Sequence, residues 1–226
     1  MFKWLRIAFL MLLVSASCAY AALPGAHRAL TPKLFGLTQI EPGLYTDAAL
    51  QGDELLSLYK NARMRSEAFF GAMHASPRII MCTTQDCANL FDIKPLGLAY
   101  GAHLVLLGPK GVNEMILTHE LAHIQLHSEM GLQDLFKQRI PAWFDEGLAS
   151  YIAADPRLRK YAPAEAEWIM QAQSFRDWGR MHQTYAWQET YGAAKSLVAD
   201  LQGRLGDDGL RLLIRKALEN GDFAAP

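Results

Sequence analysis

The stretch GVNEMILTHELAHIQLHSEMG, residues 111–131, decides how the rest of the chain is read. From about Val112 its apolar residues recur at helical spacing. Leu117, Leu121 and Ile124 form one stripe, Met115, Ala122 and Leu126 another, and Gly131 is placed to end the helix. In the middle stands His119-Glu120-Leu121-Ala122-His123. At roughly 100° per residue, positions i and i+4 lie about 40° apart on one helix face, so both imidazoles reach a single metal ion while Glu120 projects beside them. Zn2+ is the ion this set suits, with a metal-activated water and a carboxylate to deprotonate it. The competing reading is two helix histidines satisfied by solvent or by core hydrogen bonds.

A catalytic zinc site takes a third protein ligand and keeps one position open. His127 continues the i, i+4 series but drifts about another 40° round the helix, and it sits in the last turn, where a cation meets the favourable end of the helix dipole. It reads as a helix-end residue rather than a ligand. A metzincin would carry Gly at position 126 and His at position 129; Leu126 and Glu129 stand there, and that family is excluded. Glu146 is the best candidate. It follows His123 after 22 intervening residues, within PAWFDEGLASY, residues 141–151. A carboxylate in an otherwise apolar helical stretch is expensive to bury unless it is paired or bound to metal. Asp145 beside it reads as a supporting or surface residue.

Around these two segments the chain alternates types of pattern. Residues 23–43 form a lead-in punctuated by Pro and Gly, and residues 53–74 carry Leu55, Leu56, Tyr59, Ala62, Phe69, Phe70 and Met73 at mostly helical spacing. Two β-prone runs follow, residues 78–82 and 102–107, the second inside a stretch bounded by Gly97 and Gly108. Pro141 opens a helix that runs to about Ala153, where Asp155-Pro156 stops it. Residues 155–188 hold three of the five Trp residues and read as a cover, and two helices, residues 189–205 and 207–218, close the chain ahead of Gly221. The expected architecture is α/β in the α+β sense, with a mixed N-terminal lobe at about 22–131 and a helical lobe at about 132–226. No linker separates autonomous domains, so residues 22–226 read as one domain with its site in the cleft between lobes.

The chain has 226 residues, 51% of them hydrophobic and 20% charged, which supports a sizeable core and excludes disordered, collagen-like and coiled-coil classes. With 22 Lys plus Arg against 23 acidic residues there is no basic excess, so nucleic acid is not an expected partner. Residues 1–21 read as a secretory signal peptide: Lys3 and Arg6 precede an apolar run from Ile7 to Val14, followed by small residues and Ala19-Tyr20-Ala21. The run is shorter than the roughly 20 residues that span a bilayer, which disfavours a retained membrane helix. Cys18 leaves lipoprotein maturation open as an alternative. Cleavage removes two cations and no acid, leaving a mildly acidic periplasmic or secreted protein. In an oxidising compartment Cys82 and Cys87 are expected to pair locally, ahead of a zinc site or a catalytic thiol.

Together, His119-Glu120-x-x-His123 and residues 143–151 resemble the gluzincin metallopeptidases, in particular the compact peptidase-MA-like domains and the catalytic domain of the aminopeptidase N family. The resemblance follows element order over roughly residues 50–220, carried by about twenty positions. It implies a zincin-like, thermolysin-type fold, with His119, His123 and Glu146 as zinc ligands and Glu120 as general base. It also implies that Tyr191, near the start of the helix after the zinc helices, donates a hydrogen bond to the oxyanion; His182 and Tyr185 are rivals for that role. Residues 99–107 resemble the edge strand on which an extended substrate lies. One departure matters. Gly97-Leu98-Ala99-Tyr100-Gly101 lacks the acid of the Gly-x-Met-Glu-Asn sequence that holds a substrate amino terminus in the aminopeptidase N family, so endopeptidase activity is expected instead.

The expectation is therefore an exported zinc peptidase acting on a peptide or protein substrate. Two alternatives remain: a non-catalytic, metal-stabilised envelope binding protein with the same fold, and a zinc hydrolase acting on a non-peptide amide. A phosphate loop at Gly108-Pro109-Lys110-Gly111 fails because it lacks the Gly-Lys-Ser/Thr ending, and there is no Gly-x-Ser-x-Gly elbow for a serine hydrolase.

Overall fold

The structure is a computed structural model that describes residues 25–131, 138–221 and 223. The expected signal peptide, with Cys18, lies outside the described residues. In chain order the main elements are β1 (Thr38–Glu41), β2 (Leu44–Thr46), α1 (Gly52–Phe70), β3 (Arg78–Met81), α2 (Gln85–Leu90), β4 (Gly97–Tyr100), β5 (Leu104–Leu107), α3 (Glu114–Ser128), α4 (Ala142–Ala153), α5 (Pro163–Ala166), α6 (Phe175–Thr184) and α7 (Trp187–Asn220). This is a mixed α/β protein in which α1 and α2 lie between strands and α3 to α7 follow the last of them.

The five strands form one sheet in the order β1-β2-β3-β5-β4. β2, β3 and β5 run parallel, and the antiparallel strands β1 and β4 lie at the two edges. Because side chains alternate along a strand, the central strands bury one set on each face. Ile79, Met81, Val105 and Leu107 pack against α1 and α3, whereas Ile80 and Leu106 pack against Phe91, Leu37 and the Cys82–Cys87 loop. The two cysteines are bonded, as expected, with Cα atoms 5.3 Å apart. Asp47 anchors that loop by accepting the backbone N–H and hydroxyl of both Thr83 and Thr84.

Two strand expectations need correction. The lead-in at residues 23–43 contains β1. Its Thr-Gln-Ile-Glu sequence is polar on an edge, so it carries no apolar run, and the turn into β2 is made by Gly43 at φ 83°. The single run at residues 99–107 is two strands, because Gly101 at φ 53° turns the chain and His103 N–H bonds back to the Tyr100 carbonyl. The edge strand is thus β4 alone.

α3 is the central helix. It starts at Glu114, capped by the Asn113 side chain accepting from Ile116 N–H at 3.0 Å. From Ile116 to His127 only His119 is not fully buried, so the helix has no solvent face. Leu117, Leu121 and Ile124 face the sheet and α1, while Ala122 and Leu126 join the helical cluster of α4 and α7. Glu120, His123, Gln125 and His127 are therefore polar residues inside the core, which demands partners for each.

α4 begins one residue after Pro141 and ends at Ala154 in the left-handed region, ahead of Pro156. The two expected C-terminal helices are one assigned element, α7, broken at Gly206 (φ 68°, ψ 175°) and capped by Gly221. α4 seats closely on α7 because Gly147 has no side chain: a Cβ there would lie 2.6 Å from the Ala194 carbonyl oxygen. That close approach brings Glu146, the preceding residue, toward Tyr191. Among the described residues, no helix is long and apolar enough to cross a membrane.

Candidate metal centre

One turn of α3 puts the His119 and His123 Nε2 atoms 3.1 Å apart. Glu146, projecting from α4, places Oε2 at 3.4 Å from the first and 3.5 Å from the second. Tetrahedral zinc with ligands at about 2.0–2.1 Å requires donor atoms about 3.3 Å apart, so the three atoms already have the spacing of one face of such a site. The structure thus brings together the three residues expected as ligands.

Proton counting argues the same way. His123 Nδ1 lies 2.7 Å from Asp145 Oδ1; with Nδ1–H donating to that carboxylate, Nε2 is left as a lone pair. A proton on His119 Nε2 can serve only one of the two acceptors it faces, and Glu146 Oε2 is buried without a hydrogen-bond partner among the described residues. Glu120, Asp145 and Glu146 are all shielded from solvent, and the groups that lower their carboxyls are histidines and, for Glu120, a backbone N–H, with no Lys or Arg among them. A divalent cation satisfies the three facing atoms and the charge together, so the residues fit zinc.

The electrostatics follow from this crowding. Burial raises the Glu146 carboxyl, but His123 and His119 beside it bring it down to about 2. Burial also opposes ionisation of Asp145, and the flanking His127 and His123 hold it far below the ordinary carboxylate range. His123 is the mirror case: burial disfavours its charge, yet Asp145 and Glu146 push it well above the ordinary imidazole value. The cluster thus favours a positive charge at this point, and metal competes there with a proton.

Glu120 stands outside the ligand triad. Burial raises its carboxyl, only partly offset by His119, His123 and the nearby backbone N–H of Ala99 on β4. It approaches β4 so closely that a Cβ on Gly97 would lie 2.6 Å from its Oε1. A carboxylate beside three candidate metal ligands, close against the edge strand and with a raised proton affinity, has the properties of a general base.

Tyr191 of α7 lies with its ring 5.9 Å from that of His119 and edge-on to Trp178 at 5.0 Å. Burial and the acids Glu146 and Glu120 push its phenol well above its ordinary value. Its side chain lines the two hollows at the candidate site as a neutral phenol. Of its rivals, Tyr185 is exposed and stacked on Trp168 at 4.1 Å, and His182 packs 5.7 Å from the Tyr191 ring without lining the cleft.

Two hollows meet at the centre and share Pro95, Gly97, His119, Glu120 and Tyr191. One, about 490 Å3, runs along β4 past Leu98, Tyr100 and Phe175; the other, about 270 Å3, runs past Leu96, Leu158, Arg157 and Trp187. Arg157 is pinned there by Asp155 at 2.7 Å and lies over the Trp187 ring.

His127 corrects the sequence reading. It is more than a helix-end residue: it is buried, and its Nε2 meets Asp145 Oδ2 at 2.7 Å. The signal available in the sequence was its place one turn beyond His123, which the further 40° of drift aims at Asp145 rather than at Glu146.

No protein-family model matches the chain, and no solved structure matches it. Over 115 residues it is 25% identical to the uncharacterized protein YhcO of Bacillus subtilis (strain 168), which covers 49% of this chain and 34% of that protein. The chain thus spans about a third of the length of the curated relative it matches, and that relative's name attaches no activity to either.

Proposed function

We propose that the protein is an exported zinc metallopeptidase of the gluzincin type that cleaves internal peptide bonds. The observation that carries this is the triad His119, His123 and Glu146, with donor atoms 3.1 to 3.5 Å apart and Glu120 buried beside it but outside it. His119, His123 and Glu146 would hold Zn2+, whose chemistry is to polarise a scissile carbonyl and acidify a water. Glu120 accepts the proton of the attacking water and returns it to the leaving amine. Tyr191 donates its phenol hydrogen to the oxyanion as charge develops. The free edge of β4 offers backbone groups to an extended peptide, and the hollows on both sides of Glu120 leave room for chain in both directions, which favours internal bonds over terminal residues. The Cys82–Cys87 bond supports an oxidising compartment.

The test is Glu120→Gln. It keeps shape and leaves the ligands untouched, so the variant should retain one zinc per chain and wild-type thermal stability while turnover of a peptide library falls about 10²- to 10⁴-fold. A non-catalytic binding protein would show no chelator-sensitive cleavage in the wild type, and that outcome would overturn the proposal.

A further inference from the structure

Three histidines spaced four apart on α3 meet two consecutive acids on α4. Neighbouring residues on α4 point about 100° apart, so Asp145 and Glu146 reach His123 from different sides: Oδ1 lies at Nδ1 and Oε2 near Nε2. Asp145 is shared. Its Oδ1 takes His123 at 2.7 Å and its Oδ2 takes His127 at 2.7 Å, and the side chain is 3% exposed. The 2.7 Å contact of His127 Nε2 with the Asp145 Oδ2 acceptor assigns the His127 proton to Nε2, where it is donated to Asp145, and among the described residues Nδ1 has no hydrogen-bond partner. The rings of His123 and His127 lie 5.6 Å apart and inclined by 31°, so the carboxylate bridges two imidazoles of the same helix.

We propose that His127 is a positioning residue for the metal centre, fixing the Asp145 carboxylate so that Asp145 in turn fixes the ring angle and tautomer of His123. The inference rests on the zinc reading above but concerns a residue outside the ligand triad. A carboxylate held at one oxygen can swing about its Cβ–Cγ bond; held at both, it cannot. Without the His127 donor, Asp145 Oδ2 is a buried acceptor left unpaired, and the carboxylate turns to find a donor elsewhere. His123 then loses its preset orientation, and affinity for the metal falls. Loss of a partner that orients a ligand costs typically 10- to 100-fold in metal affinity, well short of the loss of a ligand itself.

Two amide substitutions separate positioning from packing. Gln places its side-chain nitrogen close to where His carries Nε2 and still reaches Asp145; Asn is shorter and does not. Zinc dissociation constants from chelator competition, with thermal midpoints of the apo proteins alongside, should show His127→Gln within about threefold of wild type and His127→Asn weakened about 10- to 100-fold. The effect of His127→Asn should largely vanish in an Asp145→Asn background, where there is no carboxylate left to fix. Wild-type zinc affinity in His127→Asn, or equal losses in the Gln and Asn variants, overturns the role of His127 and leaves the zinc reading standing. A wild-type protein that binds no zinc overturns both.

Discussion

Gly97→Ala tests the coupling between the edge strand and Glu120. An added Cβ would sit 2.6 Å from Glu120 Oε1, 2.9 Å from Glu120 Cγ and 2.9 Å from Ile116 Cγ2. Ordinary contact begins near 3.4 Å, so Glu120 or β4 must withdraw by about 0.8 Å. Gly97 is not among the residues with positive φ, so Ala meets no backbone penalty and the clash is the whole perturbation. A displacement of that size in a proton-transferring group costs on the order of 10²-fold in rate. The overpacking costs about 1–3 kcal/mol of stability. The metal triad is untouched, so zinc stoichiometry should stay at one per chain. The assay is kcat/KM on a cleaved peptide, measured with zinc content and thermal midpoint on the same preparation. A variant that cleaves at the wild-type rate would refute the claim that β4 positions Glu120, and loss of zinc would show that the strand supports the ligands instead.

Tyr191→Phe should keep zinc and fold yet lower kcat about 10²- to 10³-fold with little change in KM, because only the donor to the developing oxyanion is removed; steady-state kinetics on the same peptide decide it. Thiol titration of denatured, unreduced protein should find no free Cys82 or Cys87, and replacing both with Ser should cost about 2 kcal/mol in a urea titration, since the closed loop is short. Burial raises the Asp47 carboxyl, but the donors of Thr83 and Thr84 outweigh it and hold it below its ordinary value. Its contribution is therefore complete above the ordinary carboxylate range and is lost as pH falls through the lowered value. Asp47→Asn should cost about 1–3 kcal/mol at pH 7, and the urea midpoints of variant and wild type should converge below about pH 4; a gap that persists at low pH would contradict this.

What was legible in the sequence depended on whether the signal is local. The pairing of His119 with His123 is a property of one helical turn, and Glu146 stood out as an acid among apolar neighbours. Helix ends at Ala153 and Gly221 followed from local breakers, and the Gly206 break fell between two periodic stretches. β1 carried no signal because an edge strand of Thr, Gln, Ile and Glu has no face to bury. The Asp145 to His127 bond was illegible for the opposite reason: its partners lie 18 residues apart on two helices, and only the burial of α3 on every side turns His127 from a helix-end cation into a core donor. Gly97 read as an absence, a position lacking the acid of a related motif. In the fold it is the space that Glu120 occupies.

The most direct test of the metal centre is zinc K-edge X-ray absorption on the purified protein. His119, His123 and Glu146 predict one zinc per chain with a shell of nitrogen and oxygen only, at about 2.0–2.1 Å, and the multiple-scattering signature of two imidazoles. Protein that retains no zinc, or zinc bound through sulfur or through three imidazoles, would contradict the assignment.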